Sequence, residues 1–188
     1  MEFNLNDNEK KQLIRIARKS IEDSLNGKKD AYLNSDELLN SLTDNLRKKA
    51  GVFVTLKFNG EQLRGCIGNF ISNEPIYKNI YKMAYEAAFN DPRFMPLSIS
   101  ELSKISIEIS VLSPLEKIGS LDEIIIGKHG LYIMKGPYHG VLLPQVATEY
   151  HMNKTQFLEA VSQKAGLPED AYKENADIYI FSAEIFGE

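Results

Sequence analysis

Val52-Phe53-Val54-Thr55-Leu56-Lys57-Phe58, then Asn59-Gly60, then Gln62-Leu63-Arg64-Gly65-Cys66-Ile67, is the stretch that decides the fold. A run of β-branched and aromatic residues meets Asn-Gly, a dipeptide that accepts the positive φ angles of a type I′ turn, and the chain then returns. The spacing predicts a β-hairpin. Downstream, Asn73-Glu74-Pro75 opens a helix to about Phe89, with proline in its first turn. Ile76, Ile80, Met83, Ala84, Ala87 and Ala88 form its apolar face, and Asn90-Asp91-Pro92 breaks it. Ile105 to Val111 then alternates apolar and polar with period two, the mark of a half-buried strand.

The second half repeats this order. Gly130-Leu131-Tyr132-Ile133 echoes Gly51-Val52-Phe53-Val54 roughly eighty residues on, a turn region at 136–140 precedes Val141-Leu142-Leu143, a helix covers about 145–165, and Asp177 to Phe186 reads as a closing strand. An internal duplication of a hairpin–helix–strand unit follows. Ahead of it, residues 7–25 form an amphipathic helix on Leu13, Ile14, Ala17, Ile21 and Leu25, capped by Asn6 or Asp7 and ended by Gly27. A second helical stretch opens at Ser35-Asp36-Glu37 and runs toward Gly51. The expected class is α+β: a single domain (N-terminal helices 7–50, first repeat 51–113, second repeat 127–188) around a curved, barrel-like, mainly antiparallel sheet with helices packed outside.

Hydrophobic residues make up 43% of the 188 residues and aromatics 10%, enough for a packed core. The net charge is −4 with scattered lysines and arginines, which argues against a phosphate-neutralising nucleic-acid surface. Cys66 is the only cysteine, so neither an internal disulfide nor a cysteine-rich metal site is expected, and three scattered histidines lack ligand spacing. Met1-Glu2-Phe3-Asn4 has no basic, apolar leader pattern, and no apolar run approaches the ~20 residues of a membrane span. Cytoplasm is the expected location.

The chemistry-bearing stretch is Leu63-Arg64-Gly65-Cys66-Ile67-Gly68. Gly65 and Gly68 permit close approach of a backbone or ligand. Arg64 lies two residues from Cys66, so a regular strand points both to one face, where a guanidinium favours the thiolate. Free cysteine is more often a small buried hydrophobe. Asp91 is a candidate general base, a partner for Arg64 or a turn residue before Pro92, and Arg93 a candidate anion clamp or a partner of Asp91, Glu86 or a helix-end carbonyl. His129, between Gly127 and Gly130, is placed for proton transfer. His139 reads as a solvated turn residue and His151 as part of the last long helix. Gln145, after Leu142-Leu143-Pro144, either contacts a ligand or caps a helix. No Walker loop, nucleophile elbow or dinucleotide fingerprint occurs.

These residues resemble the AMMECR-one domain family, whose microbial members are grouped as AmmeMemoRadiSam system protein A. The resemblance runs through Gly51-Val52-Phe53-Val54-Thr55-Leu56, the hexapeptide, Asp91-Pro92-Arg93-Phe94, Ile107 to Leu112, Gly127-Lys128-His129-Gly130, Leu142 to Ala147 and Lys164-Ala165-Gly166-Leu167. It implies a duplicated α+β fold with a barrel-like sheet. It implies no defined activity or cofactor, and it suggests Memo-like and radical-SAM proteins as partners in a modification pathway. Met152 stands where the family often has tryptophan and Gln163 where it often has cysteine, so a two-thiol mechanism cannot operate within this chain.

Three functions fit. In the first, the chain is a ligand-binding or accessory component, with Arg64, Gly65, Gly68, Arg93 and Gln145 contacting a small molecule or partner. In the second it is an acyl- or group-transfer enzyme or hydrolase using Cys66, His129 and Asp91. The third is an RNA-linked regulatory factor, which needs a basic groove with exposed aromatics.

Overall fold

The structure, a computed structural model, describes residues 4–188. Met1–Phe3, on which much of the leader reading rests, lie outside the described residues. Asn6 begins the first helix, α1 (Asp7–Leu25), with a capping box: its side chain accepts the Glu9 N–H at 3.0 Å, and the Glu9 carboxylate accepts the Asn6 N–H at 2.9 Å. Leu13, Ile16, Ala17 and Ile21 are buried along one stripe, with Ile14 and Leu25 only partly covered.

The helical stretch expected from Ser35 toward Gly51 is two short helices, α2 (Asp36–Ser41) and α3 (Asp44–Arg47). Thr43 separates them. It stays extended as the cap of α3, and its hydroxyl donates to the Glu9 carboxylate at 2.6 Å. A tertiary hydrogen bond thus overrides a continuous helical pattern.

The remaining elements, in chain order, are β1 (Val52–Phe58), β2 (Gln62–Asn69), α4 (Ile76–Phe89), β3 (Ile105–Leu112), β4 (Glu116–Lys117), β5 (Gly130–Lys135), β6 (Tyr138–Leu142), α5 (Pro144–Glu149), α6 (Lys154–Lys164), β7 (Asp177–Phe181) and β8 (Ala183–Gly187). They belong to two units. Of the described residues, one holds 4–112 with Glu184–Glu188, and the other holds Ser113–Ala183.

In the first unit the sheet order is β2-β1-β3-β8. Asn59 (φ +51) and Gly60 (φ +85) turn the hairpin, and Phe58 pairs with Gln62 across the connection. Val52, Val54 and Leu56 of β1 and Ile105, Ile107, Ile109 and Val111 of β3 are buried in one core with Ile80, Ala84, Ala87 and Ala88 of α4. In the second unit the order is β4-β7-β5-β6, and Leu131, Ile133, Ile178 and Ile180 are buried with Phe157, Leu158 and Val161 of α6.

The duplication is visible in the strand order. Each hairpin's first strand is central, flanked by its return strand and by the strand that follows the helix: β2-β1-β3 and β6-β5-β7. The protein is α+β with two antiparallel sheets. Closure of a barrel is not among the ladders formed, since the strands divide between two four-stranded sheets.

The expected closing strand is cut at Ser182. The Ser182 N–H donates to Ser113 Oγ at 2.9 Å, and its carbonyl accepts the Ser113 N–H at 2.9 Å. As a result β7 joins one sheet and β8 the other. The expected long helix at 145–165 is likewise divided into α5 and α6. His151 (φ +51) lies in the break rather than in a helix, and Asn153 caps α6 in a box with Gln156. His139 is in β6 opposite Met134, its ring stacked 6.1 Å from Tyr132, rather than in a turn.

Among the described residues no helix is long and apolar enough to cross a membrane. Helix α4 rests directly on β2, because a Cβ at Gly65 would lie 2.1 Å from the Ala87 carbonyl oxygen. Both sides of that contact are backbone, so relief requires moving the helix. Gly65→Ala is expected to destabilise the protein by about 2–3 kcal/mol, read as a lower urea midpoint at unchanged slope.

Candidate functional site

Strand β2 is an edge strand, and an edge exposes N–H and C=O groups that need partners. At Cys66 both are taken by the loop after α4. The Asp91 carboxylate accepts the Cys66 N–H at 2.9 Å, and Arg93 Nη2 donates to the Cys66 carbonyl at 3.3 Å. Arg93 also grips Asp91 in a fork, Nε to Oδ1 at 2.9 Å and Nη2 to Oδ2 at 2.7 Å, while the Arg93 backbone N–H donates to Oδ1 at 3.1 Å. Asp91 is only 4% exposed. Its roughly four lone-pair sites are filled. The Arg93 guanidinium, outweighing burial, holds the Asp91 carboxyl well below the ordinary carboxylate range.

Arg64 does not share the face of Cys66 in a regular alternation. The register passes from Leu56–Gly65 to Lys57–Leu63, which leaves Arg64 as the extra residue of a bulge. Its side chain turns to Glu101, Nε to Oε1 at 2.7 Å and Nη2 to Oε2 at 3.2 Å, and Nη2 also reaches the Met95 carbonyl at 3.0 Å. Glu101 completes its set with the Ser98 N–H at 2.9 Å and hydroxyl at 2.8 Å. Both guanidinium groups lie against the Phe94 ring, at 5.9 Å for Arg64 and 5.5 Å for Arg93. Thus the loop from Asp91 to Glu101 is tied to β2 at the Cys66 backbone by Asp91 and Arg93, and at Arg64 by the Glu101 fork.

Cys66 is half-buried, and its Sγ lies 3.1 Å from the hydroxyl of Thr55, its cross-strand partner. The space beside both hexapeptide glycines is filled by the protein itself. At Gly65 the filler is the Ala87 carbonyl. At Gly68 the Phe53 ring would stand 2.5 Å from an added Cβ. Phe53 in turn meets Phe70 edge-on at 4.8 Å. Below them Asn69 and Asn79 exchange amide hydrogen bonds at 2.9 Å, and Asn79 Nδ2 reaches the Ala50 carbonyl at 2.9 Å.

His129 and Gln145 belong to the second unit. The His129 Nδ1 accepts the Ile125 N–H at 3.2 Å. The side-chain atoms left buried without a hydrogen-bond partner among the described residues are Arg64 Nη1 and Gln145 Oε1. No group of three or more His, Cys, Asp or Glu there could hold a metal.

Thr55, Glu101 and Asn79 were not singled out from sequence. Asn79 had a signal, as an amide inside the apolar stripe of α4. Glu101 had none, because its partner lies across a bulge.

Glu101 sets a pH dependence. The Arg64 guanidinium and the Ser98 donors hold its carboxyl down from 4.5 to about 2. A depressed folded value means stability that is complete above the unfolded value and is lost as pH falls through the folded one. Glu101→Gln is therefore expected to be less stable than the parent by on the order of 1–2 kcal/mol at neutral pH. The gap narrows below pH 4.5 and closes near pH 2, as measured by urea unfolding across that range.

The AMMECR1 family profile matches residues 14–186. Protein NEQ441 of Nanoarchaeum equitans is 39% identical, covering 94% of this chain and 98% of its own. Protein PF1979 of Pyrococcus furiosus is 40% identical, covering 94% and 86%. The crystal structure of uncharacterized protein PH0010 from Pyrococcus horikoshii is similar, with a TM-score of 0.79 at 38% identity, covering 94% of this chain and 89% of that one. None of these names states an activity. The chain belongs to the AMMECR1 family.

Proposed function

We propose that this protein works by binding, as a ligand-binding or accessory component, rather than by catalysis. The observation that carries this reading is the pair of unsatisfied buried atoms. Arg64 Nη1 is a donor and Gln145 Oε1 an acceptor, and both sit on motif residues. A buried polar atom without a partner costs about 1–3 kcal/mol, and in native proteins each such atom calls for an explanation, of which a bound group is one. Asp91 fits the same reading. Its lone pairs are spent on Arg93 and Cys66, so it is unavailable as a general base. The loop that it secures carries Met95 at 80% and Ile99 at 68% exposure. The family resemblance supplies the partners to try, the Memo-like and radical-SAM proteins of the same genome.

Isothermal titration against each of these two proteins is the direct test. At least one is expected to bind, with affinity reduced tenfold or more by Gln145→Leu and unchanged by Cys66→Ala. Gln145→Leu is also expected to stabilise the isolated protein by about 1 kcal/mol, since it removes an unsatisfied acceptor. If neither protein binds and Gln145→Leu does not raise the melting temperature, the reading fails. A second reading, thiol chemistry, rests on the half-buried Cys66 beside Thr55. Loss of function in Cys66→Ala with a covalent adduct on the parent protein would replace the first reading by the second.

A further inference from the structure

A sheet edge is a row of unpaired N–H and C=O groups, and native proteins blunt it by shortness, charge, a bulge or a cover. Each sheet here has two edge strands. In the first, β2 has its bulge at Arg64 and the Asp91–Arg93 clasp over Cys66, and β8 carries Glu184. In the second, β4 is only Glu116 and Lys117, short and charged. Among the described residues β6 has none of these devices. It runs Tyr138-His139-Gly140-Val141-Leu142, without Asp, Glu, Lys, Arg or proline, in unshifted register against β5. Tyr138 is 54% exposed.

The backbone groups on that edge can be named. Gly136 (φ +60) and Pro137 alone connect Lys135 to its cross-strand partner Tyr138. A connection of that length closes on a hydrogen-bonded pair, and bonded and non-bonded pairs then alternate. Tyr138, Gly140 and Leu142 therefore spend their N–H and C=O groups on β5, while His139 and Val141 present theirs outward. The first repeat agrees. Gly65 and Gly140 are the two glycines pressed against helix backbone, and the residue after Gly65 is Cys66, whose outward N–H and C=O are met by Asp91 and Arg93. Val141 holds the corresponding place after Gly140. Among the described residues no hydrogen bond from outside the sheet reaches the Val141 backbone.

We propose that the β6 edge pairs with the same edge of another molecule of this chain, antiparallel about a two-fold axis at Gly140. In that register both outward residues are used: His139 of each molecule exchanges backbone hydrogen bonds with Val141 of the other. Tyr138 lies opposite Leu142, so each aromatic ring meets an aliphatic side chain, and no acidic or basic residue meets its like. Gly140 brings no side chain to the axis. A contact of this kind uses one patch twice and closes with two molecules. Two four-stranded sheets then join as one. The proposal does not depend on Arg64 or Gln145.

Sedimentation equilibrium of the full chain from about 10 μM to about 1 mM, with amide hydrogen exchange followed by NMR over the same range, tests it. A monomer–dimer equilibrium with Kd below about 1 mM is expected. The His139 and Val141 amides are expected to exchange more slowly as concentration rises. Val141→Pro removes an outward N–H, which an edge strand tolerates, and is expected to weaken the dimer tenfold or more. Val141→Lys, which sets a charge on the edge, gives the same reading should the proline variant fail to fold, as judged by circular dichroism. Gln145→Leu is expected to leave the dimer unchanged, which keeps this test separate from that of partner binding. The proposal is overturned if the chain stays monomeric to about 1 mM, even where a strand of a different protein protects the Val141 amide. It is overturned equally if a folded Val141 variant dimerises as the parent does.

Discussion

Asp91 places a carboxylate where a sheet would otherwise need another strand. The edge of β2 presents the Cys66 N–H and C=O outward, and Asp91 and Arg93 answer them as acceptor and donor. The same carboxylate caps its own loop by accepting the Arg93 N–H. One buried ion therefore does three things: it ends the helix–loop transition, ties the loop to the strand and closes the strand's edge. Burying it is tolerable only because the fork and the two backbone donors replace its water. Removing any one partner would leave charge or backbone unsatisfied, which ties the loop's geometry to that of the strand.

Glu101 repeats the arrangement one step along the edge. It takes a guanidinium fork from Arg64 and caps Ser98, much as Asp91 takes Arg93 and caps its own turn. The bulge makes this possible. In an unbroken ladder Arg64 would have pointed to the face of Cys66; as the unpaired residue it reaches sideways to the loop. Both guanidinium groups lie against the Phe94 ring, and the loop from Asp91 to Glu101 is tied to β2 at both of its ends. Met95 and Ile99 are exposed on a segment whose ends are held in this way.

Local signals carried most of the fold. The Asn59-Gly60 turn, the period-two strand at Ile105, the apolar face of α4 and the order of elements in both repeats follow from propensity and periodicity, which act over a few residues. What was not legible depended on contacts between residues far apart in the chain. Thr43 splits a helical stretch because Glu9, 34 residues away, accepts its hydroxyl. Ser182 divides a strand because Ser113, 69 residues away, pairs with it. The break after α5 did have a local mark, the Asn153-Gln156 capping box, hidden by apolar residues on either side. At the candidate site the residue types were legible and their partners were not. Asp91 with Arg93 was open to a local reading, whereas Arg64 with Glu101 was set by a bulge that alternation does not foresee.

Comparison of the two repeats separates scaffold from specialisation. Each return strand carries a glycine pressed against helix backbone: Gly65 against Ala87 at the end of α4, and Gly140 against Ala165 at the end of α6, where a Cβ would lie 2.5 Å from the Ala165 nitrogen. That contact recurs because it sets how closely a crossover helix sits on its sheet, a requirement of the unit itself. The edge differs. In the first unit the return strand continues past Gly65 into Cys66 and needs the Asp91–Arg93 clasp. In the second, β6 stops at Leu142, and Pro144, which has no N–H to satisfy, starts α5 at once. In the second copy the strand ends two residues past its glycine, and in the first a charged loop covers the edge. The charged loop exposes Met95 and Ile99, and Arg64 Nη1 beside it has no hydrogen-bond partner among the described residues.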